Sequence, residues 1–311
     1  MKNIMVTGGA GFVGSNLALA LQEKFPDARL VVVDDFRSGD FRNLQGYRGD
    51  FIAADVSRLD WFNRFGGQKF DAIFHEASIT DTTVHDQLLQ AHDNIEGFRR
   101  LLAFAEPTRT PVIYASSAAT YGITTGRMKE TQAPAPANIY AFTKVQLDNL
   151  AHDYSRRDPD WRIVGVRYFN VYGPREAHKK AAASMIYQLY RQMKEGRRPR
   201  VFRSGEQRRD FVYVKDVVAL TLRALAAPRS AIYNCGSGQP VSFNEVITEL
   251  NRNLGTRLEP EYFENPYAHF YQSHTEADLT LARRELNYKP QFPPATGIAD
   301  YVGILEGRQA I

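Results

Sequence analysis

No stretch constrains this chain more than Thr7-Gly8-Gly9-Ala10-Gly11-Phe12-Val13-Gly14-Ser15-Asn16. It follows a short apolar run, Ile4 to Thr7, and leads into a helical pattern, Ser15 to Lys24, that carries Leu17 and Leu21 with the small residues Ala18 and Ala20. Glycines at 8, 11 and 14 permit a tight turn and close backbone approach to a ligand, while the start of the helix offers unpaired N–H groups to an anion. Strand, glycine turn and helix in this order predict a pyrophosphate seat for a dinucleotide, formed by Gly8, Gly11, Phe12, Val13 and Gly14. An ordinary glycine-rich turn would not need both flanking elements.

The alternation continues down the chain. Short apolar runs at Leu30 to Val33, Phe51 to Ala53, Ala72 to Phe74, Val112 to Ala115 and Ile163 to Arg167 are separated by longer helical patterns. Each run is β-branched or aromatic and unalternated, which suits strands buried on both faces. The order predicts an α/β protein with a Rossmann-type doubly wound parallel sheet. After Gly173 the texture changes: prolines from Pro174 to Pro294 punctuate shorter elements, and aromatic residues crowd Tyr262 to Tyr271. The change predicts a dinucleotide-binding domain over residues 1–172 and a smaller α/β substrate domain over 173–311. Phe211 to Val214 and Ala231 to Cys235 still read as strands, so residues 209–236 are expected to return to the large sheet and the domains to interleave.

Composition removes several classes of function. Among 311 residues, 39 Lys and Arg stand against 35 Asp and Glu, a net charge of +4. That surplus is too small for a nucleic-acid binder. No apolar run reaches the ~20 residues of a membrane span, and the N-terminus turns glycine-rich too soon for a secretory signal. One cysteine, Cys235, can neither staple the fold nor build a thiolate metal site. No His, Cys and carboxylate spacing suggests zinc, and His75, ending an apolar strand, reads as a hydrogen-bonded core histidine. The expectation is a soluble cytoplasmic protein with no nucleic-acid or membrane partner.

Asp34 ends the second run 20 residues after Gly14, where an acidic group bonds the ribose hydroxyls of NAD. Asp35 follows it, and Arg37, with Arg42 beyond, is placed instead to cradle the 2′-phosphate of NADP. Asp34 as a cap of the next loop is a further reading, and these residues leave the cofactor's phosphate open. Asp55, after the third run, is either an adenine contact or a helix cap.

Tyr140 and Lys144 lie four apart in a helical pattern and share a face. A phenol with an ordinary pKa of about 10 is a poor base at neutral pH. A nearby ammonium and an oxidised nicotinamide both favour the phenolate. Upstream, Tyr114 to Gly122 places Ser116 and Ser117 at a strand end, where a hydroxyl can hold a reacting oxygen. Tyr-x-x-x-Lys is common by chance, but here it follows the glycine turn and the serine strand end in the right order.

On these motifs, and on Arg167 to Glu176, Arg209 to Asp216 and Tyr233 to Gly238, nearly the whole chain resembles the extended short-chain dehydrogenase/reductases acting on nucleotide sugars. Three stretches resemble their ADP-glyceromanno-heptose 6-epimerase branch more closely. These are His75 to Ser78 with Asp81-Thr82-Thr83, Arg167 to Lys179, in which His178-Lys179 is the telling part, and Tyr271 to Leu279. The resemblance implies a catalytic set of Ser117, Tyr140 and Lys144, with Ser117 preferred to Ser116 because it stands four before Tyr121. It further implies nicotinamide-side contacts from Glu76, Ala77, Ser78 and Asn94, a pocket wall from Val171, and substrate contacts from Asn170, Phe202, Arg203, Ser204, Gly205, Arg209 and Tyr271. A tightly bound NADP, with NAD as the alternative, a homo-oligomer, and a role in supplying lipopolysaccharide heptose are implied with it.

In that branch a lysine at the position of Lys179 acts as a second acid/base opposite the tyrosine. The implied chemistry oxidises the C6″ alcohol of an ADP-heptose to an aldehyde and returns the hydride to the other face. Rotation about C5″–C6″ moves the oxygen between two places, so a proton donor is useful at each. Lys180 is an adjacent alternative, and Lys179 as a solvated loop residue or a diphosphate contact also stays open. Arg209 reads either as a diphosphate clamp or as a structural ion pair. Residues 202–209 are one shorter than the family form, and Ala181 and Gln188 stand where other members often carry serine and histidine. A dehydratase would show a carboxylate pair where Ala118-Ala119 follow Ser117. A UDP-hexose 4-epimerase, which swings a whole ring and would not need Lys179, is the nearest rival, and a non-catalytic NAD(P) sensor is the rival of another class.

Overall fold

The computed structural model describes residues 1–81, 86–124, 126–264 and 272–308. The chain opens with β1 (Asn3–Thr7), α1 (Phe12–Lys24), β2 (Arg29–Asp34), β3 (Asp50–Ala53), α2 (Trp61–Phe65), β4 (Ala72–His75), α3 (Gln87–Ala105), β5 (Val112–Ser117), α4 (Ile139–Arg157) and β6 (Ile163–Tyr168). It continues through β7 (Asn170–Tyr172), α5 (Met185–Lys194), β8 (Arg200–Phe202), β9 (Arg208–Arg209), β10 (Phe211–Tyr213) and α6 (Val214–Arg223). The last elements are β11 (Ile232–Cys235), β12 (Val241–Ser242), α7 (Phe243–Leu254), β13 (Glu261–Phe263), α8 (Thr280–Leu286) and α9 (Pro294–Leu305).

Seven strands among the described residues form one parallel sheet in the order β3-β2-β1-β4-β5-β6-β11. Successive side chains of a strand face opposite sides, and both sides here are apolar. Ile4 and Val6 join Leu17, Leu21, Phe74 and Val166 on one face, whereas Met5 joins Val31, Ile73, Phe98, Leu101 and Leu147 on the other. This accounts for the absence of polar alternation in the strands. A further core, with Ile186, Leu189, Phe211, Tyr213, Val246, Ile298 and Tyr301, lies beyond β6.

The expected return to the large sheet holds for one of the two late strands. Ile232–Cys235 pairs with β6 at the sheet edge. Phe211–Tyr213 pairs instead with Asn170–Tyr172 in a separate two-stranded ribbon. The chain leaves the β6 ladder at Phe169, so the polar groups of 170–172 need a partner, and β10 supplies it. Helix α1 begins at Phe12, three residues before the sequence-based expectation. No described helix is long and apolar enough to cross a membrane.

Strand order reverses between β1 and β4. Ligands of open α/β sheets bind in the crevice outside the strand ends at such a point, and the residues following these two strands, Gly8 and Glu76-Ala77, sit side by side there.

Candidate active site

A continuous cleft crosses this reversal. Its nucleotide end, about 570 Å³, is lined by Gly8, Gly11, Asp34, Asp35, Arg37, Ser78 and Asn94, among others. It shares Gly8, Gly11, Glu76 and Ser78 with a middle stretch of about 1040 Å³ that reaches Tyr140, Lys144 and Lys179. From there it opens into a third stretch lined by Ser117, Asn170, Val171 and Arg209.

The glycines are required by close approach. Gly8 has φ +70°, and a Cβ there would lie 2.5 Å from the Ala77 nitrogen. A Cβ at Gly14 would lie 2.1 Å from the Gly8 carbonyl. Gly11 caps α1 without a side-chain bond, which leaves first-turn N–H groups to a ligand. The Ser78 and Ser116 hydroxyls are buried at the cleft with no hydrogen-bond partner among the described residues. A cradle of this shape with unpaired donors fits a dinucleotide.

Asp34 is buried at the end of β2, and its carboxylate accepts the backbone N–H groups of Ala10 (2.9 Å) and Phe36 (2.8 Å). It therefore shapes the glycine turn as well as lining the cleft, and burial pushes its pKa up. Arg37 pairs with Asp35 (2.5 Å), Asp55 (3.3 Å) and the buried Asp93. Arg42 is held by Asp40 at an exposed position. Asp55 accepts from the backbone and hydroxyl of Ser57 (2.8 and 2.7 Å), which makes it a turn cap, while its neighbours Ala54 and Val56 line the cavity. Sequence reasoning missed Asp93. Its signal was the helical spacing of Gln90, Asp93, Asn94 and Gly97 on the buried face of α3.

Asn94 fixes the segment after β4. Its Oδ1 accepts from Ile79 N–H (2.7 Å), and its Nδ2 donates to the Ile79 carbonyl and to Thr143 Oγ1 on α4, both at 3.1 Å. Glu76 accepts the Tyr168 hydroxyl (2.9 Å), and burial pushes its pKa up to about 7. His75 is a core histidine: its Nδ1 bonds Thr7 Oγ1 at 2.8 Å, and burial pushes its pKa down to about 3.

Helix α4 starts one residue before Tyr140 because Asn138 caps it, accepting from Ala141 N–H at 2.8 Å. Tyr140 and Lys144 thus share its first turns. The Lys144 stem is almost fully buried, and Nζ donates to the Ala115 carbonyl (2.7 Å) while lying 5.8 Å from the centre of the Tyr140 ring. Burial lowers the Lys144 pKa to about 8. Burial also raises that of Tyr140, and the nearby Ser117 hydroxyl works against the rise. Ser117 lines the outer stretch of the cleft with Tyr140, whereas the Ser116 hydroxyl is buried in the middle stretch without a partner among the described residues.

Lys179 enters the cleft from another element, a short 3-10 helix, Ala177–Ala182, between β7 and α5. It lines two stretches of the cleft, with Nζ 5.7 Å from the Phe12 ring centre. Burial lowers its pKa, opposed by Glu176 and Asp81. Lys180 is exposed and lines none of the three stretches. Arg209 reaches the outer stretch from β9, its guanidinium 6.0 Å from the Phe243 ring centre.

Other expected contacts lie apart. Ala182 and Ala183 line the outer cleft where Ala181 does not, and Gln188 is occupied with the carbonyls of Ala181 (3.0 Å) and Ala183 (2.8 Å). Phe202 ends β8, and Arg203, Ser204 and Gly205 form the turn after it. Phe202 packs on Phe263, Arg203 pairs with Glu264, and none of the four lines the cleft stretches described above. Tyr271 lies outside the described residues.

A phenol beside a serine hydroxyl, with a buried ammonium one helical turn on and a dinucleotide seat alongside, is the arrangement of the short-chain dehydrogenase/reductases. A family model described as the NAD dependent epimerase/dehydratase family matches residues 4–236, and the chain belongs to that family.

Among solved structures, the chain is similar to the ADP-L-glycero-D-manno-heptose-6-epimerase of Helicobacter pylori: 38% identity, TM-score 0.90, 98% of this chain and 96% of that one covered. It is also similar to the UDP-glucose 4-epimerase of Thermotoga maritima, at 26% identity and TM-score 0.89, with 98% and 99% covered. A UDP-glucuronic acid 4-epimerase of Bacillus cereus, solved with NAD, has 27% identity and TM-score 0.84, with 97% and 99% covered.

Proposed function

We propose that this chain epimerises ADP-D-glycero-D-manno-heptose to its L-glycero form at C6″, with a retained NADP. The presence of both Tyr140 and Lys179, brought from separate elements into the lining of one cleft, carries this reading. The 38% identity to the H. pylori heptose epimerase supports it.

When bound, the dinucleotide supplies the hydride acceptor and donor. Tyr140 takes the hydroxyl proton at one position of the C6″ oxygen and Lys179 gives one at the other, or the reverse. Ser117 holds the oxygen beside Tyr140, and Lys144 favours the phenolate. Arg209 binds the substrate diphosphate as a planar fork. Residues 1–172, with Ile232–Cys235 added to their sheet, form the cofactor domain, and the remainder of 173–311, Arg209 included, forms the smaller substrate domain, in a cytoplasmic homo-oligomer serving lipopolysaccharide heptose.

The NADP assignment rests on Arg37 at the nucleotide end and on an Asp34 committed to backbone donors. The carboxylates of Asp35, Asp55 and Asp93 around Arg37 favour NAD as the second reading. Denaturing the purified protein and identifying the released nucleotide decides between them. Incubation with ADP-D-glycero-D-manno-heptose and, separately, with UDP-galactose, followed by NMR, tests the substrate. Inversion at C6″ of the heptose is the expected outcome, and C4″ inversion of the hexose alone would overturn it. Unchanged epimerisation by Lys179→Met would remove its acid/base role.

A further inference from the structure

The segment between β7 and α5 is a loop closed at its base and fastened at its tip. At the base, the Glu176 carboxylate accepts from Gly173 N–H (3.0 Å), Ser184 N–H (2.6 Å) and the Ser184 hydroxyl (2.9 Å). At the tip, hydrogen bonds tie the chain to the glycine turn and its neighbours. Asn43, buried in the 3-10 turn Phe41–Leu44, donates from Nδ2 to the Ala10 carbonyl (2.9 Å) and bonds His178 Nδ1 (3.0 Å). Arg175 adds bonds to the Asn43 carbonyl (3.1 Å) and to Asn16 Oδ1 (3.3 Å), and Asn16 returns one to the Pro174 carbonyl (3.0 Å).

We propose that Asn43 and His178 are positioning residues forming a latch, which bolts the Lys179 loop onto the dinucleotide turn and so both holds Lys179 over the cleft and slows release of the nucleotide.

The hydrogen-bond inventory sets the protonation the latch needs. Asn43 Nδ2 spends one N–H on Ala10 and the other on His178, so Nδ1 is the acceptor and the ring proton is on Nε2. His178 must therefore be neutral. Burial pushes its pKa down, and the adjacent Lys179 works the same way. Asp40 and backbone groups of Arg175 and Ser38 oppose them. Arg175 and Lys180, on either side of His178 and Lys179, have φ of +73° and +50°. Side-chain-bearing residues hold such conformations only where the surroundings impose them. His178, Lys179 and Ala182 line the middle cleft together with Gly11, Phe12 and Gly14, so a pyrophosphate bound at the glycine turn would lie beside the loop.

This inference rests on the dinucleotide reading of the cleft and not on the identity of the sugar. It is tested with holoenzyme by following the fluorescence of bound NADPH or NADH, whichever the chain retains, on displacement by excess oxidised nucleotide. Asn43→Ala and His178→Ala are each expected to speed release about tenfold, the equivalent of ~1.4 kcal/mol. The double variant should fall well short of the product of the two single effects, because both single variants remove the Asn43–His178 bond. His178→Gln, whose amide oxygen can accept from Asn43, should restore slow release. With ADP-heptose, the alanine variants should lose kcat more than KM rises. Unchanged release in both alanine variants overturns the latch, as does faster release that tracks only a lower melting temperature of the nucleotide-free protein. Faster release in a chain that leaves ADP-heptose untouched would sustain the latch and sink the substrate assignment.

Discussion

Replacing Glu176 with glutamine tests how the Lys179 loop is held at its base. The side chain is fully buried and accepts three hydrogen bonds that join residues 173 and 184. A glutamine oxygen at Oε1 keeps Gly173 N–H and the Ser184 hydroxyl, but its NH₂ then faces the Ser184 N–H. One hydrogen bond to a charged group is lost, worth about 1.5–3 kcal/mol, and a buried donor is stranded at a further cost of about 1–3 kcal/mol. Relief of a buried charge offsets part of this, leaving a loss of about 2–4 kcal/mol. At about 2–4 °C per kcal/mol, the melting temperature should fall by roughly 4–16 °C.

The pH dependence gives the sharper check. Burial is the largest influence on Glu176 and raises its pKa above the ordinary 4.5. A group with a raised folded-state pKa contributes stability that is fully present below its unfolded value and is lost as pH rises through the folded one. The advantage of wild type over Glu176→Gln should therefore be largest near pH 4 and shrink toward pH 8, read by thermal melts of both proteins across that range. An advantage that grows with pH would mean that the three donors outweigh burial, and the reasoning would fail.

Tyr140→Phe should lower turnover by about 10²–10⁴-fold, the span of general acid–base catalysis, while the nucleotide still co-purifies. The pH profile of kcat/KM should fall above about pH 8 as Lys144 loses its proton, and Lys144→Met should abolish that limb along with most of the rate. Gly14→Ala forces a Cβ to 2.1 Å from the Gly8 carbonyl, so calorimetry should find nucleotide binding weakened at least about 100-fold or lost. Arg37→Ala should weaken NADP by roughly tenfold or more and leave NAD nearly unchanged; the reverse pattern would favour the NAD reading.

Much of the fold was legible because its signals are local. An unalternated apolar strand, a glycine turn and a helix start each lie within ten residues of one another, and β1 to β6 appear where the apolar runs are. Tyr140 and Lys144 were legible for the same reason, since helical spacing alone puts them on one face. Phe211–Tyr213 was read correctly as a strand and assigned to the wrong sheet. Its apolar pattern states that it is buried but not which ladder it joins. Residues 202–205 read as contacts through family likeness, yet their packing on β13 and α7 holds them away from the cleft stretches that Arg209 and Lys179 line.

By itself, the sequence determined the parallel sheet, the dinucleotide turn and the shared face of Tyr140 and Lys144, because short-range sterics and helical periodicity decide them, while Ser117 was picked out by family likeness. Only the tertiary structure decided that Asp34 is committed to the backbone, that Asp93 joins Asp35 and Asp55 around Arg37, that Lys179 and not Lys180 lines the cleft, and that Asn43 reaches His178 across 135 positions of chain. Those facts depend on which buried polar groups meet which. A buried donor or acceptor must find its partner wherever the packed chain brings one.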